Sequence, residues 1–302
     1  MSDPLRIGIA GLGTVGASVV RILQDNADTI SQRAGRRIEV AGVCARDRTR
    51  ERGVDLSGAR WFDDASALAR DAGIGVFVEL IGGAEGMARS SVEAALAGGK
   101  HVVTANKALL ASHGGALAAV ADGAGLAIGY EAAVAGGIPV IKTVREGASA
   151  NTVSRVFGIL NGTCNYILTR MELEELSFED CLKDAQALGY AEADPTADIE
   201  GHDSAHKLAL LAAIAFGTQV DLDSIYLEGI SSITQDDLQA ADELGYRIKL
   251  LGVARRTETG IEQRVTPTML PKHTAMAQVS GVLNAVAIDG DAFGEITMVG
   301  AG

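Results

Sequence analysis

The sequence predicts an α/β fold in which a Rossmann-type doubly wound parallel sheet is followed by a second, α+β unit. Three observations lead there. Over the first 130 or so residues, short apolar runs alternate with stretches of helical periodicity, the pattern of parallel strands joined by crossover helices. A glycine turn stands directly between the first apolar run and the first helical stretch. Beyond residue 130 the alternation stops, helical patterns cluster between Gly162 and Phe216, and alternating segments then follow without intervening helices, as in a unit with a sheet of its own.

The elements follow in order. Strands are expected at Leu5–Ala10 and at residues 38–43, 76–80, 101–103 and 126–130, with helices at 14–24 and 86–97 between them. The strand cores Val76-Phe77-Val78 and Val102-Val103 are continuous apolar runs rather than alternating ones, because a parallel sheet covered by helices is dry on both faces. In the second unit residues 208–216 read as an apolar helix and residues 248–254 and 261–266 as strands. No internal repeat or low-complexity linker interrupts the chain.

Composition narrows the function classes. A chain of 302 residues with 47% hydrophobic and 22% charged residues is globular and has room for about two domains. Thirty-seven glycines against five prolines indicate tight turns and close backbone approaches. The formal charge of −13 repels phosphate backbones and anionic lipid, so neither nucleic acid nor membrane is an expected partner. The start, Met1-Ser2-Asp3-Pro4-Leu5-Arg6-Ile7, has no basic and apolar leader, and residues 208–216 are far short of a span, so the protein is expected in the cytoplasm. Cys44, Cys164 and Cys181 form no C-x-x-C pair and are expected as buried, reduced thiols.

Gly11-Leu12-Gly13-Thr14-Val15-Gly16 carries the first chemistry. Gly11 permits the tight turn, Gly13 lets the backbone approach a pyrophosphate, and Gly16 lets helix and strand pack closely. The helix start then offers N–H groups and positive potential to an anion. In this strand-turn-helix setting the motif marks a Rossmann-type dinucleotide site. The second strand ends in Cys44-Ala45-Arg46-Asp47-Arg48. Its small tip and Arg46 favour the 2′-phosphate of NADP over NAD, whereas Asp47 is the kind of residue that binds NAD ribose hydroxyls. These arginines also fit a merely solvated loop.

The densest charge runs from Tyr190 to Lys207 and leads straight into the apolar helix. Asp203 and Lys207, four apart, share a helix face, which by itself fits an exposed ion pair. His202 and His206 imitate a zinc motif, with no further His or Cys close by in sequence, so zinc is not expected. Lys107, in Thr104-Ala105-Asn106-Lys107, falls just past a parallel strand, where open α/β sheets bind ligands; a surface helix lysine is the alternative. Glu131, ahead of Gly136-Gly137-Ile138-Pro139, could hold a hard cation together with turned-in carbonyls, or stand in a glycine-rich hinge.

Taken together with Glu79-Leu80-Ile81-Gly82-Gly83, Tyr130-Glu131-Ala132 and Gly158-Ile159-Leu160-Asn161-Gly162-Thr163, these segments closely resemble homoserine dehydrogenases, in collinear order along essentially the whole chain. The resemblance implies NAD(P)-dependent interconversion of L-homoserine and L-aspartate 4-semialdehyde, in the pathway to threonine and methionine. It makes Lys207 the catalytic proton donor, Lys107 a second lysine at the nicotinamide, and Glu192, Asp198 and Asp203 substrate ligands, with Asp203 also in the catalytic set. It adds Gly82, Gly189 and Gly300 to Gly11, Gly13, Thr14, Val15, Gly16, Arg46 and Lys107 as cofactor-binding positions. Glu131 with the carbonyls of Val134, Gly136 and Ile138 resembles a site for a monovalent cation, Na⁺ or K⁺. The expected layout is a dinucleotide-binding domain over residues 1–133, to which 290–302 return, a substrate and dimerisation domain over 134–289, and a homodimer. The length suggests a short form without a C-terminal regulatory domain. The chemistry suits these residues independently: reducing an aldehyde builds negative charge on oxygen, so the site needs a cation and a proton there, and a lysine supplies both.

Overall fold

A computed structural model describes residues 3–302 in two compact units, one running to Tyr130 and the other over Glu131–Gly302. The first opens with β1 (Leu5–Ala10), α1 (Thr14–Asp25), α2 (Ala27–Ala34), β2 (Ile38–Cys44), β3 (Arg60–Phe62) and α3 (Ala65–Arg70). It continues with β4 (Val76–Glu79), α4 (Met87–Ala97), β5 (His101–Thr104), α5 (Lys107–Gly123) and β6 (Ile128–Gly129). All strand pairs are parallel in the order β3-β2-β1-β4-β5-β6. The order reverses between β2-β1 and β4, which places the switch point at the glycine turn after β1.

Strand period two divides the core between the two faces of this sheet. Ile7 and Ile9 pack with Val20, Val43 and Val78, whereas Ala10 and Phe77 pack with Leu68, Val92, Val102 and Leu109. The short strand β3 and helix α2 were not expected; β3 is three residues, too short for periodicity to reveal.

The second unit contains α6 (Val140–Lys142), β7 (Val153–Ile159), α7 (Gly162–Glu174), α8 (Phe178–Ala187), α9 (Thr196–Ile199) and α10 (His202–Phe216). Then come β8 (Tyr226–Leu227), α11 (Gln235–Glu243), β9 (Tyr246–Thr257), β10 (Gly260–Pro271), β11 (Leu283–Gly290) and β12 (Gly294–Ala301). Its sheet runs β12-β11-β7-β9-β10-β8, antiparallel except for β8 on β10. Phe157, Ile159, Leu251, Val253, Ala285 and Ala287 form a core on this sheet.

One expectation is corrected here. Residues 290–302 do not return to the first unit: they turn at 291–293 and run back as β12, Gly290 facing Gly294 and Leu283 facing Ala301. The far edge of β11 would otherwise present a row of unpaired N–H and C=O groups, and Asp291 pins the turn by accepting a bond from the Thr152 N–H at 2.9 Å. Among the described residues no helix is long and apolar enough to cross a membrane.

Candidate active site

The glycine turn has the shape its sequence demands. Gly11 has φ +98°, and a Cβ there would fall 2.2 Å from the Leu80 carbonyl oxygen; a Cβ on Gly16 would fall 2.0 Å from the Gly11 carbonyl oxygen. Only glycine passes either point. Gly13 sits at the N-cap of α1 without a side-chain cap, no acid occupies the first turn, and open space flanks the position of its missing Cβ. Backbone N–H groups at Thr14 and Val15 therefore start a helix whose dipole favours an anion. This cradle fits a dinucleotide pyrophosphate.

At the tip of β2, Arg46 is exposed. Asp47 turns its carboxylate onto its own loop, Oδ1 accepting from Thr49 N at 2.8 Å, Thr49 Oγ1 at 2.8 Å and Arg50 N at 3.2 Å. Those bonds, led by the Thr49 hydroxyl, hold its pKa below the ordinary carboxylate value.

A buried carboxylate that sequence reading left without a role organises the next two loops. Glu79 is fully buried. Its Oε1 accepts from Ile81 N at 2.7 Å and Gly82 N at 3.1 Å, and its Oε2 accepts from Thr104 Oγ1 at 2.6 Å. Asn106 closes the arrangement by donating to the Gly83 carbonyl at 2.8 Å and capping α5 at Leu109 N, 3.1 Å. Lys107 is thereby set at the first residue of α5. A cation at that end opposes the helix dipole, so stability alone gives no reason for a lysine there.

In the second unit the chain brings Asp203, Lys207, Asp198 and Asn161 together. Gly201, in the left-handed region, starts α10 with Asp203 in its first turn, where the dipole favours an acid. Lys207 Nζ lies 2.8 Å from Asp203 Oδ2 and donates to the Leu160 carbonyl at 2.7 Å. Asn161 caps α7, Oδ1 accepting from Cys164 N at 2.8 Å, while its Nδ2 donates to Asp198 Oδ1 at 2.8 Å and Asp203 Oδ2 at 3.3 Å. Below them the Cys164 thiol donates to the Asp198 carbonyl at 3.1 Å. Burial, and then the Asp198 charge, push that thiol well above its ordinary pKa, so it is inert. Cys44 and Cys181 are likewise buried free thiols.

Other expected positions stand apart from this cluster. Glu192 is exposed on the turn after α8, its carbonyl accepting from Gln186 Nε2 at 3.0 Å. Gly189 makes a left-handed turn at φ +76°, and Gly300 lies in β12 opposite Asn284. Glu131 caps α6, Oε1 accepting from Ile141 N at 2.7 Å and Oε2 from Lys142 N at 2.9 Å; Val134 and Ile138 are buried beside it in sequence and Gly136 is left-handed. Among the described residues, His202 and His206 belong to no group of three or more His, Cys, Asp or Glu side chains that could hold a metal ion. Asn161 and the Leu160 carbonyl escaped sequence reading as functional groups. The available signal was an asparagine immediately before a helix, which predicts a cap and says nothing of where its Nδ2 points.

The fold and these residues define an oxidoreductase that uses a nicotinamide dinucleotide. The model of the homoserine dehydrogenase family matches residues 139–302, and that of the homoserine dehydrogenase NAD binding domain matches residues 11–131. The chain is 52% identical over 299 residues to the homoserine dehydrogenase of Pseudomonas aeruginosa, covering 99% of this chain and 68% of that one. It is 43% identical to the Bacillus subtilis homoserine dehydrogenase, at 99% and 69% coverage. A solved homoserine dehydrogenase from Thiobacillus denitrificans superposes with a TM-score of 0.96 at 49% identity, covering 99% of this chain and 69% of that chain. A hyperthermophilic archaeal homoserine dehydrogenase in complex with NADPH shares the fold, with a TM-score of 0.83 at 24% identity over 99% of this chain and 92% of that chain. The chain belongs to the homoserine dehydrogenase family, enzymes that act on the CH–OH group of L-homoserine to form L-aspartate 4-semialdehyde.

Proposed function

We propose that Lys207 is the group that moves the proton at the reacting oxygen. The observation that carries this is the double tether of its ammonium. An ammonium has three N–H donors; one goes to the Leu160 carbonyl and one to Asp203, so the third is aimed by the other two. In reduction Lys207 delivers that proton to the carbonyl oxygen as negative charge builds there; in oxidation the neutral amine takes the hydroxyl proton. Asp203 orients the lysine and, with Asp198 and Glu192, supplies negative charge for the substrate ammonium. Lys107 contributes positive charge at the nicotinamide end of the cofactor. When bound, the nicotinamide supplies or accepts the hydride.

The finer features of the cofactor site follow the same reading. The Gly11–Gly16 turn and Gly82 hold the dinucleotide, joined by Gly189 and Gly300, and Arg46 pairs with a 2′-phosphate, so NADP is preferred. The engagement of Asp47 by Thr49 and Arg50 supports that preference. Glu131 keeps a lone pair on each oxygen beyond its amide bonds, and with the carbonyls of Val134, Gly136 and Ile138 it makes an all-oxygen set of single charge that suits Na⁺ or K⁺. The enzyme works as a cytoplasmic homodimer. Steady-state oxidation of L-homoserine with NADP⁺ and NAD⁺, against L-aspartate as the competing substrate class, tests the reading: turnover of L-aspartate but not L-homoserine would overturn it.

A further inference from the structure

The segment after β2 is tied to the glycine turn by one side chain that the proposed chemistry does not use. Arg52 is half-buried. Its Nε donates to the Leu12 carbonyl at 3.0 Å, one terminal nitrogen donates to the Arg50 carbonyl at 2.6 Å, and the other donates to the Asp47 carbonyl. The guanidinium also lies 5.7 Å from the centre of the Trp61 ring, which holds its plane. Three backbone carbonyls, two of them in the loop that carries Arg46 and Arg48 and the third inside the Gly11–Gly16 turn, thus converge on one planar cation.

Leu12 immediately precedes Gly13, and no peptide of the described chain is cis. In a trans peptide the carbonyl and the following N–H point to opposite sides of the chain. Holding the Leu12 carbonyl toward Arg52 therefore turns the Gly13 N–H away from Arg52, at a residue that is itself exposed. The same cation anchors the Asp47 and Arg50 carbonyls while Asp47 Oδ1 holds the Thr49 and Arg50 N–H groups. The segment from 47 to 50 is thereby closed into a fixed turn.

We propose that Arg52 is a positioning residue for the dinucleotide: it aims the Gly13 N–H at the pyrophosphate and fixes the 46–50 loop that faces the adenosine ribose, so that the two halves of the nucleotide site are set by one guanidinium. This rests on reading the glycine turn as the dinucleotide site, and it is separate from the role given to Arg46. A lysine cannot substitute, because one ammonium does not present three coplanar donors to carbonyls arranged around a fork.

The test is fluorescence titration of NADPH and NADH on the wild type, Arg52→Ala, Arg52→Lys and Arg46→Ala, with the melting temperature of each. Arg52→Ala is expected to weaken both cofactors by about tenfold or more, as when a phosphate-facing donor is left unoriented, and Arg52→Lys to recover little of it. Methylguanidinium added to Arg52→Ala should restore binding several-fold and leave Arg52→Lys unchanged, a rescue that a general loss of folding does not show. Unaltered NADH binding in Arg52→Ala overturns the proposal, as does weakened binding that methylguanidinium fails to rescue. Arg46→Ala separates the two readings: if it changes neither cofactor, the 2′-phosphate assignment fails, and the Arg52 result still stands or falls by itself.

Discussion

Lys207 Nζ and Asp203 Oδ2 lie 2.8 Å apart, with only 15% and 13% of the two side chains exposed. An exposed i,i+4 pair is worth a few tenths of a kcal/mol. Here the acid also accepts from Asn161, and the ammonium also donates to the Leu160 carbonyl. Such tethering fixes an ammonium in direction, and general acid–base catalysis requires a group so positioned.

Lys207→Ala should lower kcat for homoserine oxidation by about 10²-fold or more while leaving NADP binding nearly unchanged. Asp203→Ala should act on both KM and kcat, because it removes substrate charge complementarity along with the support of the lysine. Single-turnover hydride transfer under saturating cofactor checks both; near-wild-type transfer in Lys207→Ala would move the proton donor elsewhere, with Lys107 the first candidate.

Asn161→Ala removes a helix cap and the donor shared by Asp198 and Asp203. The cap alone costs about 1 kcal/mol of stability, which a melting curve reads. Kinetically, the two acids lose their common donor, so KM for homoserine should rise by about tenfold, the loss of one charge-assisted bond. An unchanged KM would leave Asn161 as a cap and nothing more.

Arg46→Ala should weaken NADP far more than NAD, since only NADP loses a charge-assisted bond to its extra phosphate. Cofactor KM ratios measure this directly. Equal weakening would sink the assignment.

Activity should depend on Na⁺ or K⁺ and resist zinc-selective chelators, and Glu131→Ala should abolish the cation dependence. That substitution also uncaps α6, so the comparison belongs on the cation-titration midpoint rather than on activity alone. Inactivation by a zinc chelator, reversed by zinc, would restore the histidine pair as a ligand set.

Lys249 makes the pH prediction. It is 1% exposed and donates to Asn165 Oδ1 at 2.8 Å. Burial, reinforced by the Arg247 charge, lowers its pKa from 10.5 to about 8. Between those values the unfolded chain holds the proton and the folded chain does not, so this group's contribution to stability is full above the unfolded value and is lost as the pH falls through about 8. Lys249→Met removes that dependence while leaving the unpaired Asn165 carbonyl as a pH-independent cost. Its stability relative to wild type should therefore be most favourable near neutrality and decline by about 3 kcal/mol toward pH 10.5. Urea denaturation at several pH values reads the slope; a constant difference would refute the assignment.

The glycine turn, the parallel first sheet and the shared face of Asp203 and Lys207 were legible in the sequence because each is a local property: a turn that only glycine fits, a run apolar on both faces, a spacing of four on a helix. Periods of two and 3.6 are written in consecutive residues, and chain order plus the right-handed crossover completes a doubly wound sheet. Tertiary structure alone decided the rest. Asn161 reaches Asp203 across 42 residues and Arg52 reaches Leu12 across 40. β12 adds to β11 at the edge of the second sheet, and Lys249 is buried on a strand whose spacing reads as ordinary. Contacts between distant segments depend on which surfaces exclude water together and which backbone groups would otherwise be left unpaired. That balance is struck over the whole chain, and no local pattern records it.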